Sequence, residues 1–188
     1  MTRLRAVREE NVGMARPTDP IRALLTSPPD LPVVEVLPEL RERLSPNPSG
    51  SDGVGACLVL TAPPGTGKTT LVPPLLADVL VRAGTTSGTG AGRGPGGEPG
   101  RVVVTQPRRV AARAAARRLA ALLGEPVGRT VGYAVRGERV VGRDTRIEIV
   151  TAGLLLRRLQ DDPELSGAAA VVLDEVPERS LDAEPLPA

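Results

Sequence analysis

The stretch APPGTGKTT, residues 62–70, decides which fold this chain can adopt. Gly65 and Gly67 let backbone N–H groups wrap closely around a polyphosphate, because side chains at these positions would block the approach. Lys68 can then reach the β and γ phosphates, and the Thr69 hydroxyl can ligate Mg²⁺. An ordinary turn that happens to contain lysine is the alternative, but Lys68 is the sole lysine among 24 basic residues. The stretch therefore predicts a phosphate-binding loop.

The segments around this loop alternate between strand and helix patterns. The apolar run ACLVLTA, residues 56–62, predicts a strand covered on both faces, and the segment after the loop predicts a helix with Pro73 and Pro74 close to its start. Further strands are predicted at 101–107, 130–135, 145–151 and 167–175, and further helices at 20–25, 33–44, 108–124 and 152–160. The helix at 33–44 must kink at Pro38 or begin near it, and the helix at 152–160 has Thr151 as its N-cap.

This alternation predicts an α/β fold, with a mainly parallel sheet and helices on both faces. In such a sheet the ligand lies at the carboxyl ends of the strands. The 188 residues suit one domain of ordinary size. We expect a partly disordered N-terminal extension at 1–30 and an ATP-binding domain at 31–188, interrupted at 84–100 by a flexible glycine-rich insertion.

The composition excludes several classes of function. Tyr133 is the single aromatic residue, so stacking of bases on aromatic side chains is nearly excluded. With a net charge of only +2, any contact with nucleic acid must come from a local cluster of basic residues. The single cysteine, Cys57, excludes an internal disulfide, and no apolar run is long enough to span a bilayer. These features predict a cytoplasmic protein with no membrane partner, and they leave its oligomeric state open.

A pair of carboxylates, Asp174 and Glu175, follows the apolar run AAAVVL. A nucleoside triphosphate bound with Mg²⁺ needs an acidic residue to hold the metal, and hydrolysis needs a group that orients the attacking water. We expect Asp174 to hold the metal through water and Glu175 to orient the attacking water. A solvated acidic pair in a turn is the alternative.

An arginine stripe lies on the helix predicted at 108–124. Arg109, Arg113 and Arg117 are spaced at i, i+4 and i+8, so they share one helix face. Such a stripe can follow a phosphate backbone, but a stripe of charges is more often a solvated face. The spacing alone leaves both interpretations open.

Five motifs in order resemble the first RecA-like domain of the DEAH-box helicases, most closely the bacterial HrpB type. They are APPGTGKTT, TQPRRVAARAAARRLA, VGYAVRGE, TRIEIVTAGLLLRRLQ and LDEVPERSLDA. The resemblance implies a P-loop NTPase of RecA-like fold that uses ATP and Mg²⁺ to remodel or unwind RNA, or another nucleic acid, between two RecA-like domains.

The resemblance also implies roles for individual residues. Lys68 and Glu175 would be catalytic, Thr69 and Asp174 would serve the metal, and Arg108, Arg109 and Thr151 would hold the nucleic-acid backbone. The nucleotide-binding residues would be Gly65, Thr66, Gly67, Lys68, Thr69 and Thr70.

Three departures from the family pattern change these expectations. Ala152 replaces an acidic residue that usually follows the threonine, which weakens the expected nucleic-acid contact. Pro177 replaces the family's histidine, so we expect weaker coupling between the nucleotide site and the rest of the protein. The sequence ends at Ala188, before the Ser-Ala-Thr motif and the second RecA-like domain. An incomplete sheet without one central strand, slow turnover and no unwinding by this chain alone are therefore expected.

Two other functions stay open at this point. One is a nucleotide-binding protein that does not hydrolyse ATP, which Pro177 favours. The other is a P-loop kinase of small molecules, which the arginines of TQPRR disfavour. Phosphate release stimulated by RNA would distinguish the helicase hypothesis from both of these alternatives.

Overall fold

The computed structural model describes residues 19–45, 57–86 and 100–174. These ranges contain five α-helices, one 3₁₀ turn and five strands. The N-terminal elements are α1 (Pro20–Thr26), the 3₁₀ turn (Pro32–Val36), α2 (Leu37–Leu44) and α3 (Lys68–Thr86). The later elements are β1 (Arg101–Gln106), α4 (Arg109–Leu122), β2 (Val131–Val135), β3 (Glu138–Val140), β4 (Ile147–Thr151), α5 (Ala152–Asp161) and β5 (Ala168–Leu173).

The strands form one sheet in the order β3-β2-β4-β1-β5. Neighbouring strands are parallel except that β3 runs antiparallel to β2. Val102 and Val104 of β1 pack in a core with α3 and α4, while Val103 packs on the opposite face with α5. The predicted α/β fold, with a mainly parallel sheet and helices on both faces, is confirmed.

The strand predicted at 56–62 is wrong for its described residues, 57–62, which form no part of the sheet. Val59 is 86% exposed, so the run is not covered on both faces. A strand needs a neighbour to supply hydrogen bonds, and within the described ranges no strand pairs with this run.

The strand predicted as buried at 167–175 forms at Ala168–Leu173, but it lies at the edge of the described sheet. Its one partner there is β1, and Leu173 is 61% exposed. The expectation that the sheet lacks a central strand stays a prediction.

A buried carboxylate holds the N-terminal helices to α3. The side chain of Asp78 is 1% exposed and accepts hydrogen bonds from Arg22 of α1 at 3.2 Å, Arg41 of α2 at 2.6 Å and Arg82 of α3 at 2.9 Å. Ile21 of α1 is completely buried in the same core. The predicted N-terminal extension at 1–30 therefore contains a helix that packs into the domain.

Prolines lie in two of the helical segments, and only one of these segments changes at its proline. Pro38 lies in the first turn of α2, directly after the 3₁₀ turn, as the sequence predicts for a helix that must kink or begin there. Pro73 and Pro74 lie within α3. This helix continues to Thr86, so it includes the first residues of the predicted insertion at 84–100, and residues 87–99 lie outside the described ranges.

The short strand β3 has no counterpart in the sequence prediction. Gly137 has a φ of +83°, a conformation that favours glycine, and it lets the chain turn from β2 into β3. The resulting hairpin places Glu138 beside Tyr133, whose hydroxyl donates a 2.5 Å hydrogen bond to the Glu138 carboxylate.

The glycine in the middle of β2 provides a test of the packing. A Cβ added at Gly132 would lie 2.5 Å from the backbone oxygen of Val140, whereas a Cβ added at Gly153 of α5 would meet nothing within 4 Å. We expect Gly132→Ala to lower the free energy of unfolding by about 2 kcal/mol, because the backbone of the hairpin cannot move aside freely. Gly153→Ala is the matched control and should be neutral or stabilising by about 0.5 kcal/mol. Urea denaturation of both variants measures the difference, and equal effects would contradict the packing argument.

Candidate nucleotide site

The loop at 62–67 has the backbone shape that a phosphate cradle requires. Gly65 and Gly67 have φ values of +81° and +93°, which residues with side chains rarely adopt. The Thr66 hydroxyl donates to the Pro63 carbonyl at 2.9 Å, and the backbone N–H of Thr70 donates to the Gly67 carbonyl at 3.0 Å. The loop thus leads directly into the N-terminus of α3, whose partial positive charge favours an anion.

Lys68, the first residue of α3, points back into this loop. Its Nζ donates hydrogen bonds to the carbonyl oxygens of Ala62 and Pro63, the latter at 2.9 Å. Among the described residues no carboxylate forms an ion pair with it. The positive charge is therefore available inside the loop to an incoming anion.

Thr69 and Asp174 meet at the carboxyl end of the sheet. The Thr69 hydroxyl donates to Asp174 Oδ2 at 2.5 Å, although the two residues are 105 positions apart in the sequence. A hydroxyl and a carboxylate are the hard oxygen ligands that Mg²⁺ prefers, so these two side chains fit a magnesium ion bound with a polyphosphate. Glu175, expected beside them, lies outside the described residues, as does Pro177.

Two residues of β1 also hold Asp174. The Gln106 side-chain amide donates to Asp174 Oδ2 at 2.6 Å, and the Asp174 backbone N–H donates to the Thr105 hydroxyl at 3.2 Å. Both β1 residues are 5% exposed. The sequence analysis assigned no role to Thr105 or Gln106, although both lie in the TQPRR motif. Their contacts with Asp174 depend on the pairing of β1 with β5, which a single sequence does not reveal.

The segment before α2 supports the loop from outside, which the sequence analysis also missed. The Val33 backbone N–H donates to the Thr66 carbonyl at 3.0 Å. The Leu31 side chain packs over Gly67 so closely that an added Cβ there would lie 2.7 Å from Leu31 Cδ1. We call Leu31 and Val33 the loop support. Contacts between residues more than 30 positions apart leave no local signal in a single sequence.

The three predicted nucleic-acid residues lie at the carboxyl ends of adjacent strands. Thr151 ends β4 and is paired in register with Gln106, two residues before Arg108. Thr151 is the N-cap of α5 as predicted, although its side chain makes no capping hydrogen bond. Arg108 is the N-cap of α4 and is exposed, and Arg109 Nη1 donates to the Arg136 carbonyl at 3.4 Å.

The arginine stripe is partly occupied by the protein itself. Arg113 donates two hydrogen bonds to the Glu138 carboxylate, from Nε at 2.8 Å and from Nη2. The hydrogen bonds from Tyr133 and Arg113 lower the pKa of Glu138, and the bond to Glu138 raises the pKa of Tyr133. Arg113 therefore joins α4 to the β2–β3 hairpin. Its guanidinium group is already bound to Glu138 and is not available to a phosphate.

No helix in the described ranges is both long enough and apolar enough to cross a membrane.

The chain is similar to proteins described as ATP-dependent RNA helicases. It is 43% identical over 154 residues to the ATP-dependent RNA helicase HrpB of Escherichia coli, which covers 82% of this chain but only 16% of that relative. It is 33% identical over 155 residues to the ATP-dependent RNA helicase DEAH13 of Arabidopsis thaliana, covering 82% of this chain and 11% of the relative. The crystal structure of the Escherichia coli DEAH/RHA helicase HrpB matches with a TM-score of 0.59 and 43% identity over 80% of this chain and 16% of that one. No protein-family model matches the chain.

Proposed function

This chain belongs to the HrpB type of the DEAH-box helicases, a family of ATP-dependent enzymes, and on that premise we propose that it binds Mg²⁺–ATP and the backbone of RNA. One observation carries the proposal. The contact between Thr69 and Asp174 joins the helix that follows the glycine loop to the end of β5, which supports a single site made of the proposed phosphate cradle and the proposed metal-binding carboxylate. An unrelated turn and an unrelated acidic residue would have no reason to meet there.

Lys68 is proposed to leave the Ala62 and Pro63 carbonyls and to pair with the β and γ phosphates. The backbone N–H groups of residues 65–70 would surround the same phosphates. Bound Mg²⁺ would neutralise charge on the phosphates, with Thr69 and Asp174 as the residues that hold it. Glu175 is proposed to orient the attacking water, a role that rests on its position directly after Asp174.

Arg108, Arg109 and Thr151 are proposed to bind the phosphate backbone of RNA. Their position at the carboxyl ends of β1 and β4, beside Gln106, supports this assignment. Contacts to the backbone give binding without sequence preference, which agrees with a chain that has one aromatic residue. Other nucleic acids with the same backbone chemistry are further candidates. A cytoplasmic location stays a prediction from the sequence.

Because the chain spans 16% of the Escherichia coli relative, unwinding is not part of the proposal. Its test is twofold. A fluorescent ATP analogue is titrated with the chain in the presence of Mg²⁺, with far-UV circular dichroism as the check on folding. Phosphate release is then measured with and without single-stranded RNA. Binding with release stimulated by RNA supports the proposal, and a folded chain that does not bind the analogue overturns it.

The same experiment separates the remaining alternatives. Binding without any phosphate release would indicate a nucleotide-binding protein that does not hydrolyse ATP. Formation of ADP that depends on a small hydroxylated molecule, with the γ-phosphoryl group transferred to that molecule and not released as phosphate, would indicate a kinase. The exposed Arg108, which follows the end of β1, favours RNA, because its guanidinium is accessible to a phosphate backbone.

Arg108 allows the RNA assignment to be tested by substitution. We expect Arg108→Ala to weaken binding of a fluorescent single-stranded RNA by about 5-fold at low salt and to reduce the salt dependence of binding by about one counterion, because one phosphate contact is lost. Arg118→Ala is the matched control, since Arg118 is an exposed arginine of the same helix, at its other end. Fluorescence anisotropy at several salt concentrations measures both effects. Equal losses in the two variants would show only a general effect of charge.

A further inference from the structure

We propose that Gln106 is a positioning residue that links RNA binding at the strand ends to the metal-binding carboxylate. The inference rests on the proposed function, because it concerns how two parts of that site communicate. Gln106 is the last residue of β1.

Two residues of β1 form hydrogen bonds that hold Asp174 in place. The Gln106 amide and the Thr69 hydroxyl donate to the same oxygen of Asp174, at 2.6 and 2.5 Å. The backbone of Asp174 is held as well, through the Thr105 hydroxyl at 3.2 Å. One donor on this oxygen belongs to α3 and the other to β1, and β1 also holds the backbone of Asp174, so β1 contributes directly to the orientation of the carboxylate. Partners of this kind behind a metal ligand commonly change metal affinity by about 10- to 100-fold when they are removed.

Gln106 lies between the metal-binding candidate Asp174 and the nucleic-acid candidates. β1 lies between β4 and β5 in the sheet, and Gln106 is paired in register with Thr151 of β4. Only Pro107 separates it from Arg108. Gln106 therefore contacts the carboxylate through its side chain, and its backbone lies beside Thr151 and close to Arg108, two of the three nucleic-acid candidates.

The backbone at Gln106 is restricted, which makes the connection between Asp174 and the nucleic-acid candidates rigid. Gln106 is 5% exposed, and the following proline fixes its own φ and restricts Gln106 to extended geometry. A shift of the β1 end on binding RNA would therefore move the Gln106 amide, and with it the Asp174 carboxylate. The pairing of Gln106 with Thr151 within the sheet offers a direct path between the two sites.

The test measures how much Mg²⁺ improves nucleotide binding. The dissociation constant of a fluorescent ATP analogue is determined in EDTA and in Mg²⁺, with and without single-stranded RNA, and the ratio of the two constants is called the magnesium gain. We expect Gln106→Met, which keeps the length of the side chain but donates no hydrogen bond, to reduce the magnesium gain by about 10-fold. Affinity in EDTA and the midpoint of thermal unfolding should stay within about twofold and a few degrees of the unmodified chain.

RNA supplies the second readout. In the unmodified chain we expect RNA to increase the magnesium gain, and in Gln106→Met we expect this increase to disappear while RNA still binds. Gln160→Met is the matched control, because Gln160 is an exposed glutamine on α5. Gln106→Asn, which withdraws the amide by one methylene group, serves if the methionine variant does not fold, and the same loss is expected from it.

Each outcome decides between roles. Equal losses of affinity in EDTA and in Mg²⁺ would reduce Gln106 to a structural residue and overturn the inference. An unchanged magnesium gain would overturn it as well. If the unmodified chain does not bind the analogue at all, the proposed function fails, and the inference fails with it. Binding with a magnesium gain that Gln106→Met leaves intact would overturn the inference alone.

Discussion

Replacing Lys68 with alanine is expected to weaken binding of Mg²⁺–ATP by about 100-fold or more. Lys68 reaches into the loop, where its Nζ contacts the carbonyls of Ala62 and Pro63. Hydrogen bonds to a charged group contribute about 1.5–3 kcal/mol, and each 1.4 kcal/mol corresponds to a tenfold change in affinity. Two such bonds to phosphate therefore account for the expected loss. The measurement is titration of a fluorescent ATP analogue with each variant.

Two controls make this result specific. Arg157→Ala removes one positive charge from the exposed side of α5 and should change affinity less than about twofold. Lys68→Arg keeps the charge but places a planar, larger group in the loop, so it should restore little of the affinity. Retention of affinity by a folded Lys68→Ala variant would show that the loop does not bind phosphate.

Replacing Asp78 with asparagine is expected to lower the free energy of unfolding by about 3 kcal/mol. The Asp78 side chain is 1% exposed and receives hydrogen bonds from Arg22, Arg41 and Arg82. Removing one partner of a buried ion pair typically costs about 3–5 kcal/mol, and the lower value applies because the arginines remain partly in water. Asp161→Asn, an exposed aspartate at the end of α5, is the control and should change stability by less than about 0.5 kcal/mol. Similar losses in both variants would contradict the role of the cluster.

The same carboxylate predicts how stability depends on pH. Burial raises the pKa of Asp78, but the hydrogen bond from Arg41, the charge of Arg82 and the hydrogen bond from Arg22 outweigh burial, so the pKa lies below its ordinary value of 3.8. A lowered folded-state pKa contributes stability that is present above the ordinary pKa and lost as the pH falls through the folded-state pKa. Between about pH 4 and pH 2, the unmodified chain should therefore lose stability more steeply than Asp78→Asn.

Patterns of residues close together in the sequence predicted most of the secondary structure. The helix α5 begins directly after Thr151, as the threonine before an apolar repeat predicts, and α1 follows Asp19, whose carboxylate accepts the Ile21 N–H at 3.0 Å. The glycine loop was also evident from the sequence, because few residues other than glycine adopt its φ values. Such signals act over a few residues, and a single sequence contains them in full.

Features that depend on partners far along the chain could not be predicted in this way. The run at 57–62 has the composition of a buried strand, but whether it becomes one depends on a neighbouring strand. The same holds for Gln106, whose role appears only when β1 pairs with β5, and for Arg113, which proves to be bound to Glu138. Composition identified these residues as polar or apolar, and the fold decided what they contact.

The loop support has a consequence for how this protein should be shortened. A protein trimmed to start at residue 57 would keep every described residue of the phosphate loop, yet it would lose Leu31 over Gly67 and the Val33 bond to Thr66. The released loop would sample many shapes, and ordering it again would reduce the affinity for any nucleotide. The smallest piece that preserves the site therefore includes residues 19–45, which contain none of the residues proposed to touch ATP.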